Sequence, residues 1–95
     1  MFNKAQFEVM KKDAIIINTA RGTIINELDL IKALEGKLIG GAALDVFENE
    51  PLPPDNRLKH LKNVFLSPHN SNASPDVFNK VDIASIENIF LGLDL

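Results

Sequence analysis

Short apolar runs alternate with stretches of helical periodicity along this chain of 95 residues. The first stretch, residues 3–12, places Phe7, Val9 and Met10 among polar residues directly after Asn3. A capping residue followed by this spacing predicts a short helix. Residues 14–18 are then apolar at almost every position, which predicts a strand that is buried on both faces.

A turn, a second helix and a second strand follow. The turn, residues 19–23, contains Gly22, and Asn26 predicts the N-cap of a helix that ends at Gly36. The apolar positions of this helix recur at helical spacing: Leu28, Ile31 and Leu34. Residues 38–46 predict another buried strand, in which a glycine pair leaves room for the close approach of a neighbouring backbone.

The last third of the chain continues the alternation. Residues 47–56 predict a loop, residues 57–62 a short helix and residues 63–67 a third buried strand. After another loop, Ser74 and Pro75 predict the start of a longer helix. Its predicted buried side consists of Val77, Phe78, Val81, Ala84, Ile86, Ile89 and Phe90.

Apolar strands that alternate with helices predict an α/β fold, with a parallel sheet, right-handed crossovers and helices on both faces. The formal net charge of -3 is spread without an acidic or basic block, so no nucleic-acid or membrane partner is expected. There are no cysteines and no apolar run as long as a membrane span. These features favour one compact, soluble and cytoplasmic unit.

Four polar residues follow the predicted strands. Arg21 comes after the first strand, Asp45 and Glu50 at and after the second, and His69 after the third. The carboxyl ends of parallel strands meet at one edge of a sheet, so these residues should be neighbours in space. An arginine, a carboxylate and a histidine can together bind a substrate anion and transfer a proton.

Each of these residues also has a structural interpretation. Arg21 can pair with Asp45 or Glu50 without any function, Glu50 can be a solvated loop carboxylate, and His69 can be a hydrogen-bonded structural histidine. His60 lies between lysines and is expected at the surface. No HExxH-like spacing joins the histidines, so no metal site is predicted.

Three segments in order, NTARGTIINELDLIKAL, GGAALDVFENEPLP and NVFLSPHNSNAS, resemble the D-isomer-specific 2-hydroxyacid dehydrogenases, the group of phosphoglycerate, glycerate and D-lactate dehydrogenases. The similarity covers the C-terminal half of their nucleotide-binding domain. It implies a partial Rossmann-like fold, NAD or NADP as cofactor, and hydride transfer between a D-2-hydroxy acid and a 2-oxo acid.

The resemblance also implies roles for individual residues. Arg21 would bind the substrate carboxylate and carbonyl oxygen, and His69 would donate and accept the proton. Glu50, which directly precedes a proline, would pair with His69. Asp45 would contact the nicotinamide carboxamide. The implied cofactor-binding positions are Thr19, Ala20, Arg21 and Asp45.

Two departures from the family pattern affect these expectations. Asn70, Ser71 and Asn72 stand where the family has a small or glycine-containing segment, and no GxGxxG occurs in the chain. Residues 1–95 are therefore expected to be a fragment without the pyrophosphate-binding half and the substrate domain, inactive alone and part of a homodimer when complete. The alternative is a non-catalytic binding or corepressor-like module on the same fold.

Overall fold

The computed structural model describes residues 1–71 and 74–92, with all their side chains except those of 77–79 and 81. The described chain forms a parallel sheet of three strands in the order β1-β2-β3, so the predicted α/β fold is confirmed. In chain order the elements are α1 (Lys4–Glu8), β1 (Ile15–Asn18), α2 (Glu27–Glu35), β2 (Gly41–Leu44), β3 (Val64–Leu66) and α3 (Pro75–Gly92), with 3₁₀ helices at Gly22–Ile24 and Arg57–His60.

Helix α1 begins as predicted but is shorter. Asn3 caps it in a capping box with Gln6, and the helix ends at Glu8 rather than at residue 12. Phe7 is completely buried, whereas Val9 is 85% exposed. Bonds of the i→i+3 type from Val9 and Met10 tighten the last turn, which ends the helix early.

Helix α2 has the predicted bounds, and the Asn26 side chain accepts a hydrogen bond from the N–H of Asp29 at 3.0 Å. Its buried residues are Leu30, Ile31, Ala33 and Leu34. Leu28, which was predicted on this face, is 53% exposed. With about 100° per residue, Leu28 lies outside the arc that Leu30, Ile31 and Leu34 define.

One face of the sheet carries the core. The register places Ile16, Ala42 and Val64 in one row, on the face where α1 and α2 pack. The fully buried side chains of this core are Phe7, Leu30, Leu34, Ile39 and Leu58. A Cβ on Gly41 would lie 2.7 Å from the carbonyl oxygen of Asn63, so the predicted close approach of backbones is present.

The other face of the sheet is open, which corrects the prediction of strands buried on both sides. Ile17, Ala43 and Phe65 are aligned across the three strands. Ile17 and Phe65 are each 70% exposed and Ile15 is 66% exposed. No helix of the described chain packs on this face, because α1 and α2 both lie on the opposite one.

Helix α3 also exposes the apolar positions that were predicted to be buried. Ala84, Ile86, Ile89 and Phe90 are exposed, and Ile86 and Phe90 keep more than half of their surface in contact with solvent. The side chains of Val77, Phe78 and Val81 lie outside the described residues. Among the described helices, α3 included, none has the length and apolarity needed to cross a bilayer.

Candidate active site

The sheet brings the four predicted polar residues to its carboxyl edge. Arg21 follows β1, Asp45 directly follows β2, and His69 follows β3. Glu50 lies in the loop after β2 and contacts His69, so two residues 19 positions apart in the sequence are neighbours. The parallel pairing of the strands is the reason that these loops meet.

Asn18, which the sequence analysis did not single out, builds the turn that carries Arg21. Its buried side-chain amide donates to the Arg21 carbonyl at 3.0 Å and accepts from the Ala20 N–H at 3.1 Å. The sequence could have indicated this role, because a polar residue at the end of an apolar strand needs hydrogen-bond partners when it is buried. The exposed positions Thr19, Ala20 and Arg21 are thereby held at the edge of the sheet.

Gly22 allows this turn to pack against the segment that precedes Glu50. A Cβ at Gly22 would lie 2.0 Å from both the carbonyl carbon and the carbonyl oxygen of Phe47. No side chain fits there without movement of the backbone. Gly22 therefore determines how closely the arginine turn approaches the glutamate loop.

Glu50 and His69 form an ion-pair contact. Nδ1 of His69 lies 2.7 Å from Oε2 of Glu50, and Oε1 of Glu50 accepts the N–H of Phe47 at 3.0 Å. The hydrogen bond with His69, followed by the Phe47 N–H and the positive charge of Arg21, lowers the pKa of Glu50. Side-chain exposure of 41% for His69 and 34% for Glu50 leaves the imidazole accessible to a ligand.

Asp45 holds the loop that carries His69. Its buried carboxylate accepts hydrogen bonds from the Ser67 hydroxyl and from the N–H groups of Asn70 and Ser71, the latter two at 2.9 Å. These bonds, the one from Ser67 first, keep the pKa of Asp45 far below its ordinary value. The predicted contact of Asp45 with a nicotinamide carboxamide stays a prediction.

The hydrogen bonds of Asp45 also affect the backbone at His69. His69 adopts a left-handed conformation with φ of 57°. Such a conformation is uncommon for residues other than glycine and costs about 1–3 kcal/mol, so it persists only where the surrounding structure imposes it. The bonds from Asn70 and Ser71 to Asp45 lie directly after His69 and supply that constraint. Asp45 is thus a positioning residue for the histidine.

Glu48 and His60 take no part in the contact between Glu50 and His69. Glu48 accepts the N–H of Glu27 at 2.9 Å, and Glu27 accepts the N–H of Glu48 at 3.2 Å, so Glu48 serves the start of α2. His60 is exposed at the end of its 3₁₀ helix, as predicted. In the described part of the chain, no three His, Cys, Asp or Glu side chains are grouped so that they could hold a metal ion.

A cavity of about 560 Å³ opens beside the Glu50–His69 pair. Its walls are mainly apolar, and Glu50 and His69 are among its lining residues. Its volume lies within the range of about 300–1,000 Å³ that is usual for small-molecule sites. An apolar cavity with a proton-transferring pair on its wall can bind a small organic substrate and exchange a proton with it.

We expect Glu50→Gln to remove a pH-dependent part of the stability of the chain. The folded-state pKa of Glu50 is lowered, so its contribution is present above the ordinary carboxyl pKa and is lost as the pH falls through it towards the folded-state value. Urea unfolding between pH 3 and pH 7 should therefore show a stability gap between parent and variant that closes on acidification.

Glu8→Gln is the matched control, because Glu8 pairs with Lys4 on the exposed side of α1. It removes one carboxylate that is not the partner of His69. A stability gap for Glu50→Gln that stays constant with pH would contradict the ionised pairing of Glu50 with His69.

Comparison with known proteins finds a family and relatives that are similar to this chain. Residues 1–71 match the model of the family described as D-isomer specific 2-hydroxyacid dehydrogenase, NAD binding domain. The chain is 43% identical over 89 residues to a glyoxylate reductase of Korarchaeum cryptofilum, which covers 94% of the chain and 27% of that protein. The chain thus spans about a quarter of the length of this relative.

Two solved structures are also similar. A D-isomer specific 2-hydroxyacid dehydrogenase from Xanthobacter autotrophicus Py2, in complex with NADPH and MES, matches with a TM-score of 0.69 and 41% identity over 72% of this chain and 22% of that chain. D-lactate dehydrogenase with NAD+ from Lactobacillus jensenii matches with a TM-score of 0.71 and 31% identity over 94% of this chain and 31% of that chain.

Proposed function

Because the chain belongs to the D-isomer specific 2-hydroxyacid dehydrogenase family, we propose that it carries the proton-transfer residues of an NAD- or NADP-dependent oxidoreductase. The reaction is hydride transfer between a D-2-hydroxy acid and the corresponding 2-oxo acid. The observation that carries the proposal is the contact of 2.7 Å between His69 and Glu50. It lies at the sheet edge that also presents Arg21.

His69 exchanges the proton in this proposal. Glu50 occupies Nδ1 and orients the ring, so Nε2 is the atom left for the substrate oxygen. His69 donates a proton when a 2-oxo acid is reduced and accepts it when a 2-hydroxy acid is oxidised. The exposed Arg21 guanidinium binds the substrate carboxylate and polarises the carbonyl group, which fixes the reacting carbon.

The exposed turn Thr19–Ala20–Arg21 suits the nicotinamide end of a dinucleotide, because it lies at the carboxyl edge of a parallel sheet. When bound, the cofactor supplies or accepts the hydride. The similar proteins from Xanthobacter and Lactobacillus are described with NADPH and NAD+, which supports both cofactors as candidates.

The proposal includes a cytoplasmic homodimer as the form of the complete enzyme. Sedimentation equilibrium of the active enzyme would test the dimer, and a monomer at micromolar concentration would contradict it.

A chimera tests the function directly. In it, this chain replaces the matching 89-residue segment of the Korarchaeum cryptofilum glyoxylate reductase, which supplies the remainder. We expect glyoxylate-dependent oxidation of NADH or NADPH. A folded chimera that binds the cofactor without turnover would contradict the proposal and favour the non-catalytic module.

Arg21→Lys in this chimera should lower kcat/KM for glyoxylate by about tenfold to a hundredfold, because an ammonium cannot make the two parallel hydrogen bonds of a guanidinium to a carboxylate. Steady-state kinetics would measure the loss. The matched control is Arg57→Lys, which changes an arginine that pairs with Glu35. Equal kinetics in the two variants would remove Arg21 from the substrate site.

A further inference from the structure

The cavity beside Glu50 and His69 contains one positive charge that the proposed reaction does not use. Lys59, from the 3₁₀ helix Arg57–His60, lines this cavity. The apolar residues Pro51, Leu52 and Leu66 line it as well. The cavity lining therefore combines the Glu50–His69 pair, apolar side chains and a lysine.

The backbone segment that carries Lys59 is held in place by packing and hydrogen bonds. The 3₁₀ helix is anchored by Leu58, which is 1% exposed, and its start is capped by the Asn56 side chain, which accepts the Leu58 N–H at 2.9 Å. The Asn56 amide in turn donates to Glu27 of α2 at 2.7 Å. Lys59 thus extends from a segment that is fixed to the core and to a helix.

The ammonium group of Lys59 has unused donors. It donates to the Leu52 carbonyl at 3.2 Å, which occupies one of its three N–H groups. Across residues 1–71 and 74–92, the ion pairs are those of Lys4, Arg57 and His69, and none includes Lys59. Within the described part of the chain, Lys59 thus lines an apolar cavity with two donors unused and without a carboxylate partner, which suits an anionic ligand group.

We propose that Lys59 is a specificity-determining residue that selects 2-oxo acids with a second anionic group at the end of the molecule distant from the reacting carbonyl. This inference rests on the proposed function, because it assumes that the carbonyl group lies at His69 and the first carboxylate at Arg21. The Glu50 carboxylate repels a second anion, whereas the Lys59 ammonium attracts it. The distal anion is therefore directed to Lys59, and the apolar lining of the cavity accommodates the intervening methylene groups.

The experiment compares two ligands of equal chain length, 2-oxoglutarate and 2-oxopentanoate, which differ in a distal carboxylate in place of a methyl group. Each is titrated into the full 95-residue chain and followed by amide NMR shifts. We expect 2-oxoglutarate to bind about fivefold more tightly at low ionic strength, which is the upper range for one exposed ion pair. The shifts should include Lys59, Leu52 and His69, and added salt should reduce the preference.

Two variants with the same loss of charge isolate the contribution of Lys59. Lys59→Met should abolish the preference for 2-oxoglutarate. Lys62→Met should retain it, because Lys62 lies three residues further on and lines a different cavity. Equal affinity for the two ligands, no binding of either ligand, or a preference that survives in Lys59→Met would each overturn the inference.

These outcomes are distinguishable from failure of the proposed function. Glyoxylate has no second anionic group, so its reduction by the chimera does not depend on Lys59. Absence of glyoxylate turnover would contradict the proposed function, whereas turnover combined with an absent ligand preference would overturn only the role of Lys59.

Discussion

Replacing His69 by Gln in the chimera is expected to lower kcat by about 10²- to 10⁴-fold, the usual contribution of general acid–base catalysis. Gln preserves much of the side-chain size, but its amide cannot donate or accept a proton as an imidazole does near neutral pH. Asp45 still holds the following N–H groups, so the loop and the affinity for the cofactor should change little. Stopped-flow measurement of hydride transfer and a cofactor titration would separate the two effects.

His60→Gln is the control for this prediction. His60 is the other histidine of the chain and is exposed on the 3₁₀ helix that follows the 47–56 loop. Its replacement should leave kcat within about twofold, as expected of a surface substitution without partners. If His69→Gln retained the full kcat, the proton would have to come from another group or from water, and the proposed role of His69 would be wrong.

Replacing Gly22 by Ala is expected to destabilise the chain by about 3 kcal/mol or more, at the upper end of the range for overpacking. The added methyl group would lie 2.0 Å from the Phe47 carbonyl atoms, which are backbone and cannot rotate away. Any movement of Phe47 also disturbs its N–H bond to Glu50. The variant should therefore lose stability in urea and activity in the chimera together.

Gly92→Ala is the matched substitution, because a Cβ at Gly92 meets no atom within 4 Å. It should leave the stability of the chain nearly unchanged. A Gly22→Ala chain as stable as the parent would show that the turn and the 47–50 segment can separate at little cost. The close approach would then not be what positions Glu50.

Local features were predicted best because they depend on neighbouring residues. Asn3 and Asn26 cap α1 and α2 as expected, since capping needs only a side-chain oxygen and the next turn of backbone. Gly41 lies where two backbones approach closely, which the presence of glycine in a strand predicted. The candidate site residues were found through strand order, because parallel strands end at one edge.

Side-chain burial was predicted worst, because it depends on which surfaces meet in three dimensions. Ile17 and Phe65 have the composition of a buried strand, yet both are exposed on the face that no described helix covers. Apolar residues indicate what could be buried but not what lies against them. The same limit applies to Ile86 and Phe90 on α3, which recur at helical spacing but are exposed rather than buried.

The sequence by itself determined the order and type of the elements and the residues with chemistry at the strand ends, because these follow from local propensity, periodicity and chain direction. Only the tertiary structure decided that Asp45 holds the His69 loop and that Gly22 sets how closely the Arg21 turn approaches the 47–50 segment. Those contacts join segments about twenty residues apart or more, and their geometry depends on how the whole sheet edge packs.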